Sequence, residues 1–200
     1  MNIYKPNSQN TGSAITLQIG YDKKTGISLY LNGIKQYSWD TKKRTGSFSK
    51  SRDDPSKNFS LKFNEFEAGA IIRVLQKGGE WSSFHGFDNN KTSIGINLSK
   101  TKESEKSPSR NFFSLHITRN STDKFSIPIE INESIVIIEY LKFYLRESFY
   151  YKMQKDQEKW NRYKGTEKNS SDKNDRENYL DDFANSLNND SEESFDNPGF

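Results

Sequence analysis

Phe59–Gln76 reads FSLKFNEFEAGAIIRVLQ, and Phe125–Lys142 reads FSIPIEINESIVIIEYLK. The two stretches align without a gap at an offset of 66 residues. Phe59/Phe125, Ser60/Ser126, Glu67/Glu133, Ile71/Ile137, Ile72/Ile138 and Leu75/Leu141 are identical. Each copy is a short alternating strand that runs straight into a helix. Leu61 and Phe63 share the face of Phe59, and Ile127 and Ile129 that of Phe125, because strand side chains alternate. Asn64 stands where a helix N-cap is needed, and Glu67 three residues later completes a capping-box pattern. Gly78-Gly79 stops the first helix. At the same offset, Gly20-Tyr21-Asp22 falls on Gly86-Phe87-Asp88, just before the next predicted strand of each half. The chain therefore reads as two copies of one strand-rich, helix-ended unit. The predicted class is α+β: two tandem antiparallel four-stranded sheets, each followed by a helix, related by a pseudo-twofold.

Working upstream, Ile15, Leu17, Ile19 and Tyr21 alternate with polar residues and predict a half-buried strand. In GISLYLNGIKQYSWD, Gly26–Asp40, Asn32-Gly33 suits a two-residue type I′ turn. The resulting hairpin puts Ile27, Leu29, Leu31 and Ile34 on one face, and Tyr30, Lys35, Tyr37 and Trp39 on the other. Thr41–Lys57 reads as a basic loop or fraying hairpin. In the second half, an extended Trp81–Phe87 places Trp81, Ser83, His85 and Phe87 on one face and Phe84 on the other. Ser93–Lys100 is a strand with Ile94, Ile96 and Leu98 inward, and Phe113, Leu115 and Ile117 alternate in the next. The charged loop 100–110 takes the position of the 41–57 loop. The second helix has no stop near the counterpart of Gln76. Leu141, Leu145 and Phe149 keep helical spacing, and the helix extends to about Tyr163. Residues 1–13 read as a disordered arm, and 14–165 as one binding domain with repeats at about 14–79 and 80–150. Residues 166–200 read as a disordered acidic tail.

The apolar fraction is 31% and charged residues make up 28%, yet there are 14 Phe, 10 Tyr and 3 Trp. Such a chain either builds a small core from its rings or presents some to a ligand. There is no Cys, which removes disulfides, thiolate zinc sites and cysteine nucleophiles. The two histidines, His85 and His116, show no metalloprotease spacing, and no phosphate-binding glycine loop is present. The chain reads as a non-enzyme without cofactor or metal. No stretch has the length and apolarity of a membrane span, and the N-terminus lacks a signal-peptide core, so a cytoplasmic protein is expected. Residues 1–169 carry +10 and Ser170–Phe200 carries −7. A basic body with an acidic tail suggests a polyanionic partner and a tail able to compete with it.

Rings on a sheet interleaved with Lys and Arg are what single-stranded nucleic acid requires: bases stack on the rings and cations neutralise phosphates. The first-half candidates are Tyr30, Lys35, Tyr37, Trp39, Lys42, Lys43, Arg44, Phe48, Lys50 and Arg52. Those of the second half are Trp81, Phe84, His85, Lys91, Lys100, Lys102 and Arg110. In the tail, Tyr179, Leu180, Phe183 and Leu187 have helical spacing among acidic residues, a pattern for folding on a partner protein. Phe195 and the terminal Phe200 complete the partner-binding set.

On the stretches Phe59–Gly78, Glu80–Leu98 and Phe112–Lys142, the chain resembles the Whirly and positive-cofactor-four-like superfamily, closest in style to its phage single-stranded DNA-binding proteins. The resemblance covers about residues 14–150, and the Whirly KGKAAL motif is absent. It implies two packed antiparallel sheets with helices on one side and nucleic acid across the exposed faces and loops. The end of the tail, Asp190–Phe200, resembles the acidic, aromatic-ended tails of bacterial and phage single-stranded DNA-binding proteins, which implies recruitment of replication or repair proteins. The resulting expectation is a largely sequence-independent single-stranded DNA-binding protein of (viral) replication, recombination or repair. It would be a monomer or a homo-oligomer through the sheet or the long C-terminal helix. A transcription regulator of the same fold, a single-stranded RNA-binding protein and a structural or protein-interaction module are the alternatives.

Overall fold

The structure is a computed structural model that describes residues 1–22, 26–87, 90–101 and 108–167. The chain divides into two units, Met1–Met153 and Gln154–Phe200. The first contains two four-stranded antiparallel meanders. β1 (Asn2–Lys5), β2 (Ser13–Asp22), β3 (Gly26–Lys35) and β6 (Asn58–Phe63) form one sheet, in the order β1-β2-β3-β6. α1 (Glu65–Lys77) follows it. β7 (Glu80–Phe87), β8 (Asn90–Lys100), β9 (Asn111–Arg119) and β10 (Asp123–Glu130) form the other, in the order β7-β8-β9-β10. α2 (Ile131–Glu167) follows that. A small hairpin, β4 (Ser38–Asp40) with β5 (Thr45–Ser47), interrupts the first meander between β3 and β6. The predicted α+β class, two sheets and long last helix are observed.

The repeated stretches form what their residues dictate. Phe59, Leu61 and Phe63 are buried, as are Phe125, Ile127 and Ile129, while the residues between them are exposed or half-buried. The capping box is complete. Asn64 Oδ1 accepts the Glu67 N–H at 2.9 Å, and Glu67 Oε2 accepts the Asn64 N–H at 3.0 Å. The second copy keeps half of it: Glu133 Oε2 accepts the Glu130 N–H at 2.8 Å. The equivalent rings of Phe59 and Phe125 meet edge to face, with centroids 4.7 Å apart. Contact between two equivalent residues is what a pseudo-twofold axis passing between them requires. Both sheets and both helices close one core, which includes Leu17, Leu31, Val74, Ile96, Leu115 and Leu141.

The helices are exchanged between the halves. α1 lies against β7 and β8 of the second half, and Glu67 accepts hydrogen bonds from that strand. α2 returns to the first half: Tyr140 Oη accepts the Ile19 N–H at 3.1 Å, and Tyr144 donates to the Phe63 carbonyl at 3.5 Å. Burial, with the Glu65 charge adding to it, pushes the Tyr144 hydroxyl up to about 12. Ser148 and Lys152 of α2 reach Glu65 at the start of α1. Tyr151 packs edge to face on Tyr21 and over Gly26, whose φ of +82° and the nearby ring both exclude a side chain.

Several sequence expectations are corrected. Asn32-Gly33 is not a turn. β3 is continuous through it, and Gly33 is paired with Ile15 on one side and Phe59 on the other. The Phe59 ring lies over Gly33, where a Cβ would sit 2.1 Å from Cε1. The glycine serves a close approach of the ring. As β3 is continuous, Gly33 and Lys35 share the face of Leu29 and Leu31, while Ile34 joins Tyr30 on the other. Residues 1–13 are not a disordered arm: β1 pairs with β2, Ile3 opposite Ile15, and Ile3 is buried. Gly20 lies in the second strand of its meander and Gly86 in the first of its own, so their match at offset 66 is accidental. The 41–57 segment joins strands three and four of its sheet, whereas 100–110 joins strands two and three, so the two loops are not equivalent. Phe149 is 52% exposed. Steps of four residues rotate a stripe by about 40° each, because a helix has 3.6 residues per turn. Phe149 has therefore turned out of the core, and Ser148 takes the inward position. Of the predicted tail, 166–200, the first two residues end α2, and 168–200 lie outside the described residues.

Candidate nucleic-acid interface

The first cluster of candidate residues is built on the β4–β5 hairpin. At its turn, Asp40 Oδ1 accepts the N–H groups of Lys42 and Lys43 at 2.9 and 3.0 Å. This is the side-chain turn that aspartate forms readily. Arg44 takes a left-handed φ of 53°, which closes the turn. Lys42, Lys43 and Arg44 are thereby presented together, all exposed. The hairpin is anchored by Gln36, a buried amide that sequence reasoning missed. Its Oε1 accepts the Asn7 N–H at 2.8 Å, and its Nε2 donates to the carbonyls of Asn7 at 2.9 Å and Ser38 at 3.0 Å. This side chain links residues 7–10 to the start of the hairpin, and the Gln36 backbone N–H donates to the Gly12 carbonyl at 2.8 Å.

Beside the hairpin, two ring clusters carry cations or neighbouring rings. Tyr37 is 43% exposed, with Lys50 Nζ 5.2 Å and Lys57 Nζ 5.6 Å from its ring centroid. Phe48 packs edge to face with Tyr4 at 6.0 Å, and Tyr4 is 61% exposed. Tyr4 escaped the sequence reading, and Lys57, read as part of the basic 41–57 loop, was not among the candidates. Arg52 is exposed and Trp39 half-buried. Tyr30 lies half-buried on the outer face of the first sheet, in a row with exposed Gln18 and Lys62. Lys35 is not with it: its ammonium sits 4.7 Å over the Phe125 ring, on the core side.

The second half divides in the same way. Phe84 is 63% exposed on the outer face of the second sheet. It stands in one row with Ser93, Thr118 and Lys124, and Lys91, which pairs with Gly86, is its diagonal neighbour on that face. Lys124 and the exposed His116 on this face were not foreseen. Lys100 and Arg110 are exposed near the ends of β8 and β9. Lys102 lies outside the described residues, as do Tyr179, Leu180, Phe183, Leu187, Phe195 and Phe200.

Trp81 and His85 are corrected. They alternate with Phe84 and face inward, in register with Ile96 and Thr92, and Trp81 packs against the core. His85 Nε2 lies 2.8 Å from Glu67 Oε1, and Ser83 Oγ donates to the same oxygen at 2.8 Å. Burial pushes the Glu67 carboxyl up. The hydrogen bonds from His85, the Asn64 N–H and Ser83 outweigh it and leave the group below its ordinary value. The hydrogen bond to Glu67 raises His85, against its burial. Both Ser83 and His85 spend their hydrogen bonds on the carboxylate, so the imidazole does not activate the hydroxyl. The cluster joins α1 to β7. Among the described residues, no group of three or more His, Asp or Glu is placed to hold a metal ion, and no helix is long and apolar enough to cross a membrane.

No protein-family model matches the chain, and no curated protein matches it. Among solved structures, the chain is similar to WHY3 from Arabidopsis thaliana, at 15% identity and a TM-score of 0.47, covering 80% of this chain and 93% of that one. It is also similar to WHY1 from Arabidopsis thaliana, at 16% identity and a TM-score of 0.45, covering 74% and 88%.

Proposed function

We propose that this protein binds single-stranded DNA without marked sequence preference, through the β4–β5 hairpin with its flanking rings and the outer faces of the two sheets. The observation that carries the reading is Tyr37: an exposed ring with two ammonium groups 5.2 and 5.6 Å from its centroid, next in sequence to a hairpin whose turn presents three further cations. A base stacks on such a ring whatever its identity, while its phosphates meet the lysines. The exposed Phe84 with Lys91 and Lys124 repeats this chemistry on the second sheet. The acidic tail would recruit replication or repair proteins and compete for the same cations; its composition alone supports this.

The test is a fluorescence-anisotropy titration of a labelled oligothymidylate against the wild type and Tyr37→Ala. Loss of one stacked base, about 1–3 kcal/mol, predicts binding about 5- to 150-fold weaker. The fold should persist, because the ring is exposed. Equal affinity of the two proteins would remove Tyr37 from the interface. A matched oligouridylate that binds more tightly would favour RNA.

A further inference from the structure

The inner face of α2, formed by Ile137, Ile138, Leu141, Tyr144 and Ser148, is buried in the core. Its outer face is also apolar. Ile135, Val136, Phe143, Phe149, Tyr150 and Met153 are between 45% and 70% exposed. Isolated exposed apolar residues need no explanation, but a contiguous stripe of them marks an interaction surface. This stripe has a period. Ile135-Val136, Lys142-Phe143 and Phe149-Tyr150 recur every seven residues, the spacing that keeps one side of a helix turned towards a second helix. Lys142 is the polar member of these pairs, and between them stand two further exposed charges of opposite sign, Glu139 and Arg146.

We propose that this face is the interface of a twofold-symmetric dimer of the chain, in which two α2 helices pair antiparallel about the point between Lys142 and Phe143. An isologous interface must be complementary to itself, and this pattern is. In that register Ile135 meets Tyr150 of the second copy, Val136 meets Phe149, and Glu139 meets Arg146, each contact occurring twice. A shift of half a heptad in one direction opposes Glu139 to its own copy, and in the other direction Arg146 to its own copy. The charges thus select one register from the three that the apolar period allows. Arg146 already lies 5.6 Å over the Phe143 ring, at the level where the Glu139 of the second copy arrives. Among the described residues, Glu139 is held by Lys142, at 2.8 Å on an exposed surface, an ion pair of small worth. The dimer is independent of the nucleic-acid reading.

The experiment is sedimentation velocity of the 200-residue chain from about 1 to 100 μM, at and beyond the weak end of the affinities that standard-size interfaces reach. The wild type sediments as a dimer whose dissociation constant lies in that range or below it. Val136→Glu raises that constant by about 100-fold or more, because it buries an unpaired carboxylate against Phe149 of the second copy. The far-ultraviolet circular dichroism stays the same, because Val136 is exposed in the single chain. Glu139→Arg and Arg146→Glu each give monomers, and an equimolar mixture of the two re-forms a dimer, because every opposed pair is again of opposite sign. A wild type that is monomeric at 100 μM overturns the proposal and leaves the face to another protein or to the chain's own tail. A dimer unmoved by Val136→Glu, or a mixture that stays monomeric, overturns it as well.

Discussion

Gly33→Ala tests the frame of the first sheet at its tightest point. The added Cβ would lie 2.1 Å from Phe59 Cε1 and 2.3 Å from Cζ, far inside van der Waals contact. Phe59 cannot yield without loss, since its ring meets Phe125 edge to face and Lys35 lies over the Phe125 ring. Overpacking of this kind costs about 1–3 kcal/mol. Losing the edge contact adds about 0.5–1.5 kcal/mol. Removing a glycine from the unfolded chain returns about 0.4–1 kcal/mol. The net expectation is about 2 kcal/mol of destabilisation, read from urea unfolding followed by circular dichroism. The decisive quantity is the coupling to Phe59→Leu. Leucine lacks the Cε1 and Cζ atoms that clash, so Gly33→Ala in that background should cost less than about 0.5 kcal/mol. A double-mutant cycle should then report a coupling of about 1.5–2 kcal/mol. If the two changes add instead, Gly33 does not lie beneath Phe59, and Asn32-Gly33 belongs in a turn rather than a continuous strand.

Two further outcomes follow from the polar contacts. The Glu67–His85 hydrogen bond makes stability depend on pH in both directions. Glu67 is held below its ordinary 4.5, so its contribution is complete above that value and is lost as pH falls through its lowered folded value. His85 is raised above its ordinary 6.5, so its contribution is complete below that value and fades as pH rises through the folded value. The two shifts describe one interaction. The melting-temperature difference between wild type and His85→Gln should therefore be largest between about pH 4.5 and 6.5 and shrink on either side; a difference flat with pH contradicts the assignment. Gln36→Ala should raise amide hydrogen exchange in residues 7–12 and 38–47 selectively, since its side-chain amide bonds Asn7 and Asn10 on one side and Ser38 on the other. It should cost about 1–3 kcal/mol for the buried groups left unpaired; unchanged exchange there would show that the hairpin is held by other means.

The strand–helix stretches were legible because period and capping are local. A strand that alternates and a helix start marked by Asn64 and Glu67 are encoded within a few residues of where they act. Gly33 was not, since Asn-Gly is a strong turn signal locally and the ring that requires a glycine comes 26 residues later. The same holds for Lys35, assigned to the outer face by a turn that does not exist. Trp81 and His85 could have been read correctly, as the alternation that exposes Phe84 turns its neighbours inward. β1 is four residues long with one inward apolar side chain, Ile3, and gives no periodic signal, so Tyr4 was lost with it. The exchange of helices between the halves depends on which sheet each apolar face meets, a matter no local pattern carries.

If a polyanionic single strand is held by the hairpin cations and the rings beside them, its affinity must fall with salt. The anisotropy titration of oligothymidylate should be run at 50 and 200 mM salt, alongside a duplex of equal length. Five phosphate contacts, one each from Lys42, Lys43, Arg44, Lys50 and Arg52, give a slope of about −3.5 in log affinity against log salt, or roughly 100-fold between the two conditions. That loss is expected, with the single strand bound more tightly than the duplex throughout. Binding that ignores salt, or a duplex bound as well as the single strand, would contradict it.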